Sequence, residues 1–182
     1  KKRLTLEDQG DMNNCLGINF ERLKDGNLKL SQPHIDDVLE ELRINENWMA
    51  KPVAASPAKI LSRDIEAESV KPPFDYQRVI GKLNFLEKST RPDIAYAVHQ
   101  CARFCSDPKQ SHVDAVIYLG RYLKGTRDYG IIINQDQLSL FDVWADADFS
   151  GNWNKSTAEL DPSTEKSRSG YVINLAGCPV LW

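Results

Sequence analysis

Between Tyr76 and Gly130 the sequence sets three apolar stripes in a row, each at helical spacing and each followed by a breaker. Val79, Ile80, Leu83 and Leu86 share one face of the first, because residues three and four apart stack on an α-helix. Pro92 sits where a first-turn proline belongs, lacking an N–H that would be unpaired there anyway. Ile94, Val98, Ala102 and Cys105 form the second stripe, and Asp107-Pro108 predicts its end. Ser111 with Asp114 three residues on predicts a capping box for the third helix. That helix buries Ala115, Val116, Leu119 and Leu123, and Gly125 is expected to close it in the left-handed conformation. Three short amphipathic helices in succession commit this stretch to a compact helical module.

The flanks have a different period. Residues 15–20 read as a strand and 28–30 as its partner, joined through the Asp25-Gly26 hairpin signal. After Pro33 a helix carries Ile35, Val38, Leu39 and Leu42 inward. Prolines at 52, 57, 72 and 73 make residues 45–75 a connector without regular structure. Beyond Gly130, Ile131-Ile132-Ile133 is a β-branched run, and residues 138–144 lead into a second strand. That strand delivers Trp144-Ala145-Asp146-Ala147-Asp148-Phe149. Lys166-Ser167-Arg168-Ser169-Gly170-Tyr171 and Gly177-Cys178-Pro179-Val180 begin two more. The expected class is α+β: a hairpin with a helix, three helices, then a short run of strands.

Composition excludes several function classes. With 41% hydrophobic and 27% charged residues the chain can bury a core, and it holds no apolar run long enough to span a membrane. The four cysteines lack paired metal spacing and are read as reduced core thiols. No Gly-X-Ser-X-Gly elbow supports hydrolase chemistry, and His34, His99 and His112 have no ligand-spaced companions. The net charge of −3 is uneven: residues 71–130 carry 10 basic against 6 acidic side chains, while both flanks are acidic. The central helices alone offer a modest attraction for a phosphate backbone.

Three phrases go beyond these physical readings: Tyr76-Gln77-Arg78-Val79-Ile80-Gly81-Lys82-Leu83, Thr90-Arg91-Pro92-Asp93-Ile94-Ala95-Tyr96-Ala97 and Arg121-Tyr122-Leu123-Lys124-Gly125-Thr126. They resemble the region of copia-type LTR retrotransposon Pol polyproteins that joins reverse transcriptase to ribonuclease H. The resemblance implies that residues 1–70 are the palm end and thumb with a proline-bearing connector. Residues 71–130 would be the helical connection, and 131–182 the opening of a ribonuclease H-like domain whose sheet is incomplete. Leu16-Gly17-Ile18 and Leu30-Ser31-Gln32 match the family at the palm end. The Asp-Ala-Asp and Lys-Ser-X-Ser-Gly-Tyr phrases match it in the last segment. Two departures stand out. Ile117 and Tyr118 replace a basic pair, and Gly120 stands where an apolar residue is usual.

The parent would be an RNA-directed DNA polymerase that also cleaves the RNA strand of hybrids, using Mg²⁺. Both reactions need several carboxylates around paired metal ions. No Tyr/Phe-X-Asp-Asp turn occurs in residues 1–30, and the adjacent Asp36-Asp37 reads as solvated surface. By resemblance Asp146 is a remnant of the ribonuclease H metal site, with Asp148 a supporting neighbour, and the other carboxylates would follow Trp182. Arg91, Arg121 and Lys124 are the expected contacts to an RNA/DNA hybrid or duplex. The isolated chain is expected to hold no cofactor, to be catalytically inactive and to bind nucleic acid weakly. The remainder of the polyprotein is the expected partner, in the cytoplasm (a virus-like particle) or the nucleus. The alternatives are a helical protein-interaction module and a translated remnant without function, the latter favoured by an unfinished sheet with an open edge.

Overall fold

The computed structural model of the chain describes residues 7, 10–57, 60–134, 141–151, 153, 155, 158, 159, 161 and 165–182. The described residues form an α+β fold of four α-helices and two antiparallel sheets. The expected strand start at 138–140 lies outside the described residues, as do most of 1–9 and parts of the loop 152–165.

The first sheet has the order β1 (Asn14–Cys15), β2 (Ile18–Arg22), β3 (Leu28–Ser31) and β4 (Ile131–Ile133). The single strand expected over 15–20 is two. Leu16 and Gly17 take φ values of 51° and 80°, so the chain reverses between Cys15 and Ile18 in a two-residue hairpin turn. At the second turn Gly26 has φ 87°, and Asp25 accepts the Asn27 backbone N–H at 3.1 Å. The Ile131–Ile133 run leaves the helices and pairs with β3, Leu30 opposite Ile131 and Leu28 opposite Ile133. The hairpin and the run 100 residues downstream thus share one sheet.

Helix α1 (Ile35–Glu41) buries Ile35, Val38 and Leu39. Helix α2 (Tyr76–Ser89) is capped by Asp75, whose side chain accepts the Arg78 N–H, and buries Val79, Ile80, Leu83 and Leu86 as the periodicity requires. A 3₁₀ turn at Pro92–Ile94 leads into α3 (Ala95–Ala102), and α4 runs Gln110–Gly125. All four helices contribute to one core that also takes in Ile44, just after α1, and Leu61 of the connector. Each Leu or Val fully buried there contributes roughly 1.5–3 kcal/mol.

Three helix-end expectations are corrected. Helix α3 stops at Ala102, before Asp107-Pro108 is reached, and its buried stripe is Ile94, Ala97, Val98 and Cys101. Helix α4 begins one residue before Ser111, and its N-terminal bond runs from the Lys109 N–H to His112 Nδ1 at 2.9 Å. Ser111 instead donates to Asp64. Gly125 stays helical, followed by Thr126 at φ −125°. Its lack of a side chain serves proximity: a Cβ there would lie 2.7 Å from that of Ala50. Gly120 has the same explanation, since its Cβ would meet Leu42 Cδ1 at 2.5 Å and Ile44 Cδ1 at 2.6 Å. The departure from the family pattern is the space into which α1 packs.

The second sheet is a meander of β5 (Phe141–Asp148), β6 (Arg168–Leu175) and β7 (Cys178–Leu181), with β5 at an edge. Opposed residues share a face, so Phe141, Val143, Tyr171, Ile173 and Leu175 line one side and Asp142, Trp144, Asp146 and Asp148 the other. Phe141, Val143 and Trp144 are all more than half exposed, so neither face of β5 is covered by the described residues. β7 lies beside β4, and Trp182 Nε1–H donates to the Glu87 carbonyl of α2 at 3.1 Å.

Candidate nucleic-acid interface and acidic strand

Two of the sequence phrases meet in one buried assembly. Thr90 ends α2, and Arg91 at φ −128° turns its side chain inward before Pro92 starts the next turn. Arg91 is only 1% exposed. Its Nη1 donates to the Thr126 carbonyl at 3.0 Å and its Nη2 to Thr126 Oγ1 at 2.7 Å. A fork runs to Asp93 as well, Nε to Oδ1 at 2.9 Å and Nη2 to Oδ2 at 2.7 Å. The Tyr122 hydroxyl donates to the same Asp93 oxygen at 2.7 Å, and the guanidinium stands 5.7 Å from the ring centres of Tyr122 and Tyr129. A cation at the C-terminal end of α4 also meets the negative pole of the helix. Burial would raise the Asp93 carboxyl, but the hydrogen bonds and charge of Arg91, with the Tyr122 hydroxyl, outweigh it and hold the group below the usual carboxylate range.

Arg121 and Lys124 tie the connector to α4. Arg121 Nε donates to the Met49 carbonyl at 2.7 Å and its guanidinium lies 5.8 Å from the Trp48 ring centre. Lys124 Nζ donates to the Glu46 and Trp48 carbonyls at 2.8 and 2.9 Å. The three cations singled out in the sequence therefore do not converge on one face. Arg91 lies inside, while Arg121 and Lys124 flank the loop 46–51, half-buried. More exposed basic side chains stand on α2 at Arg78 and Lys88. Neither stands out in the sequence phrases, although both sit off the apolar stripe of a helix whose inner face was legible.

His112 has a structural role that its sequence position did not reveal. It is fully buried, stacked on Phe104 with ring centres 3.8 Å apart. Nδ1 accepts the Lys109 N–H, so Nε2 carries the proton and donates to the Ser62 carbonyl at 2.7 Å. The neutral ring thus pins the connector to α4. Burial, only partly offset by the Ser62 carbonyl, holds its pKa below the ordinary imidazole value. The unfolded chain then takes up a proton that the folded chain resists, so this stability is present above about pH 6.5 and is lost as the pH falls below it. The unfolding free energy from urea titrations should drop between pH 7.5 and 5.5 by up to about 1.4 kcal/mol, the full protonation free energy of an ordinary imidazole over that span. A His112→Gln variant that shows the same drop would remove this residue as the cause.

On β5, Asp146 is exposed and stands opposite Gly170, sharing its face with Asp148. Asp148 Oδ1 accepts the Arg168 backbone N–H at 2.6 Å, which fixes the end of the β5–β6 ladder. Gly151 packs beside it: a Cβ there would come within 2.4 Å of Asp148 Oδ2, and the carboxylate would have to turn away. Among the described residues no group of three or more His, Cys, Asp or Glu side chains gathers as metal ligands do. Two carboxylates on one strand face fall short of the oxygen set that a hard divalent ion takes up. The described residues therefore do not fit a complete Mg²⁺ site.

Comparison with known proteins places this arrangement. The chain is 30% identical over its whole length to the retrovirus-related Pol polyprotein from transposon RE1 of Arabidopsis thaliana, of which it spans 12%. It is 28% identical, again over its whole length, to the putative transposon Ty5-1 protein of Saccharomyces cerevisiae, of which it spans 56%. A shorter stretch of 107 residues, 59% of this chain, is 33% identical to the secreted RxLR effector protein 161 of Plasmopara viticola and spans 69% of that protein. No family model and no solved structure gives a match. No helix among the described residues is long and apolar enough to cross a membrane. Full-length similarity to transposon polyproteins, with each family phrase built into the fold, settles the relationship: the chain belongs to the Pol polyproteins of copia-type retrotransposons and corresponds to one segment of them.

Proposed function

We propose that the chain is the segment in which reverse transcriptase hands over to ribonuclease H, working within a polyprotein that synthesises DNA on RNA and cleaves the RNA of the hybrid. The observation that carries this reading is the order of parts: a hairpin and helix, the clamped helical block, then an antiparallel meander whose first strand bears Asp146 and Asp148 on one exposed face. In this reading residues 1–70 contribute palm end and thumb, 71–130 the connection and 131–182 the start of the ribonuclease H sheet. Asp146 would supply one metal-holding carboxylate once further carboxylates join it, and Mg²⁺ would provide the Lewis acid and the activated water. The setting is the cytoplasmic particle or the nucleus.

The segment's own contribution is to hold the duplex weakly. Arg121, whose Nη groups have no partner among the described residues, is the phosphate contact of choice; Lys124 reinforces the loop beside it, and Arg91 holds the helices that carry both. Fluorescence anisotropy with a labelled RNA/DNA hybrid tests this. Binding should be weak, with a dissociation constant on the order of 10⁻⁴ M at physiological salt, and should weaken steeply as salt rises. Arg121→Ala should lower the slope of log K against log salt by about one. Binding indifferent to salt, or unchanged by Arg121→Ala, would refute the assignment and favour apolar protein docking.

A further inference from the structure

A cleft of about 250 Å³ opens between α3 and α4 under the connector residues 54–56. Ala97, Cys101 and Ala115 line it with small side chains, and Tyr96 and Tyr118 line it with aromatic ones. Small and aromatic side chains together leave a slot for a flat apolar body, and such concave, mostly apolar sites with few polar groups are where small molecules bind. The apolar body would sit against surface that is otherwise wetted, since Tyr96 is 55% exposed.

The polar lining is Ser56, Gln100, Ser111 and Asp114, of which only Asp114 is charged. Asp114 lines the cleft and accepts from Gln110 Nε2 at 2.8 Å, which leaves its other oxygen uncommitted among the described residues. Ser111 lines it too, and its hydroxyl donates to Asp64, so a second carboxylate stands directly behind. Lys51 Nζ lies 5.0 Å from the ring centre of Tyr118, one helical turn after Asp114 on α4. An anion is repelled by Asp114, and a neutral molecule gains burial alone.

We propose that this cleft binds a small protonated arylalkylamine, with the ammonium on Asp114 and the ring between Tyr96 and Tyr118. Neither nucleic-acid handling nor the acidic strand uses these residues. The charge-assisted hydrogen bond orients the ligand, and the aryl ring packs against the tyrosine rings.

The full chain, ¹⁵N-labelled, would be titrated with 2-phenylethylamine, 2-phenylethanol and 3-phenylpropanoate. The amine should give saturable shifts centred on Ala97, Asp114 and Ala115, with a dissociation constant roughly tenfold below that of the alcohol and the carboxylate weakest. Asp114→Asn, an exposed and fold-neutral change, should bring the amine to the level of the alcohol while the alcohol is unaffected. Ala115→Phe should block all three ligands. Absence of saturation at tens of millimolar amine, equal binding of amine and carboxylate, or an amine preference surviving Asp114→Asn would each overturn the proposal, whether or not Ala115→Phe folds.

Discussion

Replacing Arg91 with alanine is expected to cost about 3–5 kcal/mol of folding free energy, the range for removing one partner of a buried, hydrogen-bonded charge pair. Four hydrogen bonds vanish together, two to Thr126 and two to Asp93. The buried Thr126 carbonyl keeps only the Tyr129 N–H as a donor, while the half-open Asp93 carboxylate is partly relieved by water. Lysine is expected to restore less than half of the loss, because a point charge cannot span both partners as the planar fork does. Urea unfolding of Arg91→Ala, Arg91→Lys and wild type measures this. A loss under 1 kcal/mol for the alanine variant would mean that the helices are held by their apolar faces alone. The result also bears on nucleic-acid binding, since Arg91→Ala can weaken it only by loosening the module.

Gly130→Ala should be nearly as severe, at about 3 kcal/mol, the upper part of the range for forced overpacking. A Cβ at this position would stand 2.1 Å from the Leu30 carbonyl oxygen and 3.0 Å from its carbon. The obstacle is backbone, so no rotamer change relieves it, and β3 must separate from β4. Hydrogen exchange should reveal the damage locally, with protection lost at 131–133 while α2 and α4 keep theirs. Gly81→Ala is the control: it lies within α2 with nothing within 4 Å of its would-be Cβ, so alanine should stabilise by roughly 0.5–1 kcal/mol. If the two variants behave alike, the close approach at Gly130 is not what matters there.

The two glycines show where sequence reading reaches its limit. Both are single glycines among apolar or polar neighbours, and propensity treats them alike. Gly120 and Gly125 make the same point, since a rule for helix ends assigned Gly125 a left-handed turn, whereas Ala50 of the connector is what excludes a side chain. The expected cap at Ser111 failed for a related reason. Its hydroxyl had a better acceptor in Asp64, 47 residues earlier, and His112 took over the terminal N–H.

The sequence by itself determined that there are helices here, the inner face of α2 and the change of period after Gly130, because helical and strand spacing fix which side chains share a face whatever lies opposite. Through its phrases it also determined the family. Only the tertiary structure decided what those phrases do. Arg91 finds Thr126 across 35 residues, Ile131–Ile133 finds β3 across 100, and His112 finds Ser62 across 50. Local propensity carries no information about such pairings. They form because a buried guanidinium, imidazole or backbone N–H must find a partner wherever the folded core places one.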